Sequence, residues 1–335
     1  MAKTSNLFSF LSVVFFAFAI VSCDTINEKV LPRASGKSGN VLVVVDSFYW
    51  NNQTGAAIME TFAKTQEGLP QREPMFDIIF IPHRNFAQIF KTNRNIIIVE
   101  VKPNSKNRLA INSEVWSKDQ LIVTVTASTD EIAAETIRKN GVAISDYFNN
   151  KEIERLQTTN KQSKNAKVSS VLKKQFNIDI NVDTYYRIAT EDSNFVWLRK
   201  EKMAGEHPIS QGLLVYSYPY TSDSTFSVYS LTNKRNEITK KYIRGAVDST
   251  YMQSYAEFVP KEREISINGL YAKELRGLWF IKGDFMGGPY VNYTFVDEKR
   301  NQVICIDGYV FAPKFDKREF LRELEAFALS AKLVE

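Results

Sequence analysis

The residues best suited to chemistry gather in the second half of the chain, where Glu274, Arg276, Trp279 and Asp284 surround a glycine-rich turn, Gly283-Asp284-Phe285-Met286-Gly287-Gly288-Pro289. Glycine permits positive φ and close backbone approach, so a loop built on Gly287 and Gly288 is expected to wrap a ligand while the acid and the arginine fix it. The plainer alternative is a tight connection between antiparallel strands, with Glu274 and Arg276 paired on the sheet. Tyr216, Tyr218 and Tyr220 recur every second residue, which puts them on one face of a strand. Flat aromatic faces suit sugar rings, although such stripes also serve as half-buried packing. His83 and Arg84 follow an apolar run and precede a helical pattern capped by Asn85, so free amides and a guanidinium together suit an anion pocket, the alternative being surface placement without a ligand. Asp46 closes the first aliphatic run, a position from which a carboxylate can bind a metal or attack. Lys234, Arg235, Lys240, Lys241 and Arg244 share one helix, either facing solvent or leaning on anionic lipid head groups, where each charge is worth about 1 kcal/mol.

Metal and nucleophile chemistry is sparse. His83 and His207 lie far apart, with no HxxH, HExxH or CxxC nearby, so no metal and no cofactor is expected. Cys305 sits within Val303-Ile304-Cys305-Ile306, the pattern of a buried strand. Gly36-Lys37-Ser38 ends like a phosphate loop, but Leu31 stands where its first glycine belongs, and the segment precedes a strand instead of following one. No GxSxG elbow or dinucleotide fingerprint is present. A non-catalytic binding role is therefore favoured. The alternative is a hydrolase of envelope polymers with Glu274 and Asp284 as its acids, which requires two carboxylates about 5 to 9 Å apart.

An uncharged run, Leu7 to Ile20, follows Lys3 and reads as the core of a signal peptide. It is too short for a permanent span, which needs about 20 apolar residues. Ile20-Val21-Ser22-Cys23 resembles a bacterial lipobox. That resemblance implies cleavage before Cys23 and lipidation of its thiol, with the extra acyl chain that firm anchoring requires. The expected location is the cell envelope, with the membrane and its face left open, although Asp24 matches an enterobacterial retention signal.

Removing residues 1–22 leaves about 313, enough for one large or two ordinary domains. Net charge is +5 and no basic domain stands out, so nucleic acid is not an expected partner. The expected partners are the membrane, through the lipid, and an envelope protein or glycan.

The elements that must position these residues divide in two. Residues 23–39 read as a flexible tether. Residues 40–150 alternate aliphatic strands (Val41–Asp46, Asp77–His83, Asn95–Val101, Leu121–Thr126) with helical patterns, the last opened by a Ser128/Glu131 capping box. That succession predicts an α/β half. Residues 151–176 are helical but polar, a connector. Residues 177–335 are strand-rich, with a helix near Asn233–Arg244 and a last one starting at Asp316. The fold class expected is α+β, a mixed α/β N-terminal half joined to a largely antiparallel sheet packed by helices.

Four segments together carry a family resemblance: LLVYSYPY from Leu213, KKYIRGAVDSTYM from Lys240, ELRGLWFIKGDFMGGPYVNY from Glu274 and GYVFAPKFDKREFLRELEAF from Gly308. They resemble an uncharacterised lipoprotein family of the Bacteroidota, a domain of unknown function. VLVVVDSFYW and FDIIFIPHRNF extend the resemblance into the first half. It implies an envelope lipoprotein and supplies no activity, ligand or site residue. Arg244-Gly245 departs from the pattern, which implies a proline before the glycine.

Overall fold

A computed structural model describes residues 30–334. The signal segment, Cys23 and the start of the tether lie outside the described residues.

The first half is built on the aliphatic runs. β1 (Asn40–Val44) pairs in parallel with β2 (Asp77–Ile81) and with β3 (Asn95–Val101). β4 (Arg108–Ser113) is an antiparallel edge strand on β5 (Leu121–Ala127), giving the order β2-β1-β3-β5-β4. Burial on both faces explains why β1 carries no polar alternation. Val41 and Val43 point into one core with Phe62 and Phe148, and Leu42 and Val44 point the other way toward Phe86, Phe90 and Trp116. After β1 come α1 (Ser47–Trp50) and α2 (Gln53–Phe62), and α3 (Gln88–Lys91) follows a 3-10 turn at His83–Asn85.

α4 (Asp130–Gln162) is 33 residues long, about 50 Å at 1.5 Å per residue. Its N-cap is Thr129, which accepts from the Ile132 amide, so the expected Ser128 cap moves by one; the Ser128 amide donates instead to Asn107. The helix runs unbroken through position 150, where polar composition had suggested a junction. A turn at residues 163–165 leads into α5 (Ala166–Phe176), whose Val168, Leu172 and Phe176 enter the core of the second half.

The second half follows the short β6 (Ile178–Asp179) and consists of one antiparallel sheet. Its strands are β7 (Arg187–Asp192), β8 (Phe195–Ala204), β9 (His207–Pro219), β10 (Tyr251–Ser254), β11 (Lys261–Ile267), β12 (Leu270–Lys282), β13 (Gly287–Asp297) and β14 (Gln302–Phe311). The order is β10-β12-β13-β14-β9-β8-β7, with β11 also lying along β12. Helix α6 (Val228–Tyr242) covers one face through Ile238, beside Tyr216, Trp279, Tyr290 and Cys305. The opposite face, with Val215, Val291, Tyr293 and Ile306, packs on α5 and on Leu321, Leu324 and Phe327 of α7 (Arg318–Ala328). β15 (Lys332–Leu333) pairs with β6. The architecture is α+β, as the sequence predicts.

The two halves are stitched together at α7. Its N-cap is Lys317, not Asp316, and its first amides are satisfied from across the junction: both Glu73 carboxylate oxygens accept from the Lys317 amide at 2.8 and 2.9 Å, and one also accepts from Arg318. A carboxylate there also meets the positive end of the helix dipole. The tether is shorter than its composition implies. Ala34 and Ser35 donate to Lys118 and Thr92, and the Arg94 amide donates back to Ser35, so the chain is already docked several residues before Gly39.

Candidate functional site

The structure separates the residues expected to form one loop site. On a strand, Glu274 and Arg276 share a face and Trp279 takes the other. Arg276 donates to Glu274 at 2.8 Å and to Glu325 of α7 at 2.7 Å, on the face turned toward the first half. This buried triad borders a cleft of about 360 Å³ between the halves, lined also by Arg263, Asp146 and Arg322. Burial raises the Glu274 carboxyl, but Arg276 and Arg263 outweigh it and hold it below the usual range. Burial works likewise against the Arg276 charge, and Glu325 and Glu274 overcome it. Both carboxylates are committed to one guanidinium, which is the pairing of the plainer alternative.

Trp279 lies on the α6 side, where its indole donates to the Pro289 carbonyl at 3.2 Å. Asp284 sits in the hairpin turn and accepts from the Phe285 amide, eight residues along the chain from Arg276. Gly287 and Gly288 are strand residues whose missing side chains admit neighbouring backbone: a Cβ on Gly288 would stand 2.0 Å from the Val310 carbonyl oxygen, and one on Gly287 2.8 Å from that of Trp279. Within the turn, Gly283 supplies the positive φ, at 87°. The loop therefore joins β12 to β13 as a tight antiparallel connection.

The tyrosine stripe does share a face, as its period requires, but the three residues differ in environment. Tyr216 is fully buried, and its hydroxyl accepts from Asn292 at 3.2 Å. Tyr218 is half-buried under Lys234, whose ammonium is 5.1 Å from the ring centre. Tyr220, at the strand end, opens into a cleft of about 460 Å³ with Phe226, Tyr271, Asp223 and Glu298, floored by Leu270 and Val296. Phe226 stands between the other rings, 6.5 Å from Tyr220 and 5.4 Å from Tyr271. The Tyr220 hydroxyl donates to Asp223, a bond that raises the phenol's pKa. Tyr271 is half-exposed. Of these residues the sequence had pointed only to Tyr220. Phe226 follows in a Ser/Thr/Asp-rich link, and Tyr271 follows Asn268-Gly269, a hairpin-turn signature.

His83 and Arg84 lie inside the 3-10 turn, and the next helix, α3, is only four residues long with Ala87 at its N-cap. The expected anion pocket at an Asn85 cap is not formed. The His83 imidazole Nε2 is 2.9 Å from the Val99 carbonyl oxygen, which orients the ring beside the ends of β2 and β3. The amides opening α2 are occupied by Asp130, which accepts from Gln53 and Thr54.

The basic helix is not a uniform cationic face. Arg235 is buried, with Nε 2.8 Å from Asp307 and its guanidinium 3.7 Å from the Tyr290 ring centre. Lys241 is engaged with Tyr242 and Asp192. Cys305 is buried against Thr294 at 3.2 Å, and burial pushes its thiol up to about 12. Among the described residues no cluster of His, Cys, Asp and Glu is arranged to hold a metal ion, and no helix is long and apolar enough to cross a membrane.

Two large sheets joined through a docked helix, bordered by one charged and one aromatic cleft, define a mixed α+β protein. Its two parts match two family models: residues 34–161 match DUF8532 and residues 164–330 match DUF4837, each described as a domain of unknown function. The two matches support an uncharacterised family, and they meet at the turn after α4. No curated protein matches the chain. Solved structures that resemble it include LpqN, involved in cell envelope biogenesis of Mycobacterium tuberculosis, at 14% identity over 47% of this chain and 83% of that one, with a TM-score of 0.30. Another is the Ran-binding protein Mog1p of Saccharomyces cerevisiae, at 11% identity over 48% and 91%, with a TM-score of 0.33. Likeness at this level bears on no residue or ligand of this chain.

Proposed function

We propose that this protein is lipid-anchored in the cell envelope through Cys23 and binds an envelope saccharide, without catalysis, in the aromatic cleft of its strand-rich half. The observation that carries the binding role is the cleft itself: Tyr220, Phe226 and Tyr271 present rings around one opening, with Asp223 and Glu298 as acceptors for hydroxyls. Binding sites of this kind combine apolar walls with a few placed polar groups. The anchor rests on the lipobox-like Ile20-Val21-Ser22-Cys23. In the producing cell, Cys23→Ser is expected to abolish labelling of the protein by radioactive palmitate and to leave the leader attached; continued labelling would remove the anchor.

Tyr271→Ala tests the site directly. Truncating a buried aromatic contact typically costs upward of 1 kcal/mol at a binding surface. The expected result is a loss of affinity of about tenfold for envelope glycan fragments, followed by intrinsic fluorescence, with thermal stability unchanged because Tyr271 is half-exposed. Wild-type affinity in the variant would dismiss the cleft. The hydrolase alternative survives in one form, with Asp223 and Glu298 as the acid pair, because they line the same opening. It predicts new reducing ends from glycan substrate and their disappearance in Asp223→Asn.

A further inference from the structure

We infer that the saccharide bound in the aromatic cleft carries a free, protonated amine. This inference rests on the binding role proposed for that cleft and goes on to the charge of its ligand. The chain has 43 lysines and arginines against 38 acids, yet none of the residues lining this opening is basic. Its charged groups are two carboxylates, Asp223 and Glu298, and its other polar groups are the hydroxyls of Tyr220 and Tyr271. The charged cleft between the halves differs sharply, with Lys64, Lys261, Arg263, Arg276, Arg318 and Arg322 among its lining residues.

A neutral sugar is served by rings and by a mixture of donors and acceptors. Here the ionised lining is acceptor-only, and the rings add the negative face of their quadrupoles, so both features favour a cation. Asp223 is held at the opening because it accepts the Tyr220 hydroxyl proton through one oxygen. Its second oxygen remains available to a ligand. Phe226 and Tyr271 meet edge to face, with ring planes at 75°, so one ring can lie along a sugar while the other turns its face toward a substituent. An amino sugar fits this division: its C–H face stacks, and its ammonium sits between the carboxylates and a ring.

Two probes differing only at nitrogen isolate the charge: the fully deacetylated glucosamine trisaccharide and its N-acetylated counterpart. Both are titrated into the mature, lipid-bearing protein in neutral detergent, with binding read calorimetrically. The deacetylated trisaccharide is expected to bind at least about tenfold tighter, a difference of about 1.4 kcal/mol, and to lose that advantage as salt is raised. In Asp223→Asn combined with Glu298→Gln, both exposed positions, the preference for the deacetylated probe is expected to collapse while the melting temperature stays unchanged. Equal or reversed preference, with binding that Tyr271→Ala still weakens, overturns the amine and leaves the saccharide role standing. A preference that persists in the double variant places the charge recognition elsewhere and also overturns the inference. If neither trisaccharide binds at millimolar concentration, both the saccharide role and the amine are overturned.

Discussion

Arg276→Ala is expected to cost about 3–5 kcal/mol of folding stability, because it strands two carboxylates around the space of one lost guanidinium. Glu274 and Glu325 are both nearly buried and both lean on Arg276, at 2.8 and 2.7 Å. Arg263 is the remaining cation near Glu274, at 3.7 Å and half-exposed, too weakly placed to compensate. Since domains of ordinary stability hold about 5–15 kcal/mol in all, the variant should unfold at much lower denaturant. Asp284→Ala, in the hairpin turn, should change stability by less than about 0.5 kcal/mol. Urea denaturation of the two variants side by side decides the matter, and a loss below about 1 kcal/mol for Arg276→Ala would mean that water entering the inter-half cleft solvates the acids. The same triad sets an acid limit. The folded pKa of Glu274 lies below its unfolded value, so its contribution is present above about pH 4.3 and is lost as the pH falls through the lower folded value.

Arg235→Ala is the second large effect, on the opposite face of the sheet. Its guanidinium grips Asp307 twice, at 2.8 and 3.3 Å, touches the Ser254 hydroxyl at 3.2 Å and covers the Tyr290 ring. Asp307 is wholly buried, and without the arginine its side chain keeps only the Asn292 amide, at 3.1 Å. The expected loss is again about 3–5 kcal/mol for the abandoned charge, with a further cost for the void under α6. Replacing both partners by apolar residues of similar size, Arg235→Met with Asp307→Leu, should recover most of it, since desolvating the pair offsets much of its attraction. A double-mutant cycle by chemical denaturation measures this, and a double variant no better than the single one would show that the pair stabilises the sheet beyond charge neutrality.

Strands covered on both faces were legible in the sequence through their unbroken aliphatic stretches, residues 41–44 in β1, 96–99 in β3 and 121–123 in β5. β4 and β11 went unseen for the opposite physical reason. They lie at sheet edges, and β11 reads Lys-Glu-Arg-Glu-Ile-Ser-Ile, with its charges solvated along one edge of β12. The loop site failed on parity, since Arg276 and Trp279 are an odd number of residues apart on one strand and must face opposite layers. The aromatic cleft was hidden because it is assembled from three separate segments, around residues 220–226, 270–271 and 296–298, which the β9–β14, β13–β14 and β12–β13 pairings bring together. Tyr220 alone marked it, since on the same face Tyr216 is buried and Tyr218 half-buried.

The Glu73 clasp on α7 also sets the order in which the molecule can be completed. The chain leaves the ribosome N-terminus first, and the amides that Glu73 satisfies lie 244 and 245 residues downstream. The first sheet can collapse early on its own aliphatic core, yet Glu73 has no helix amides to cap until the last helix arrives. A nascent or truncated copy ending before Arg318 would therefore leave the inner face of the second sheet without its α7 cover, an exposed apolar surface of the kind proteases and chaperones recognise. Completion of synthesis is in this way coupled to resistance to degradation by a single inter-half helix cap.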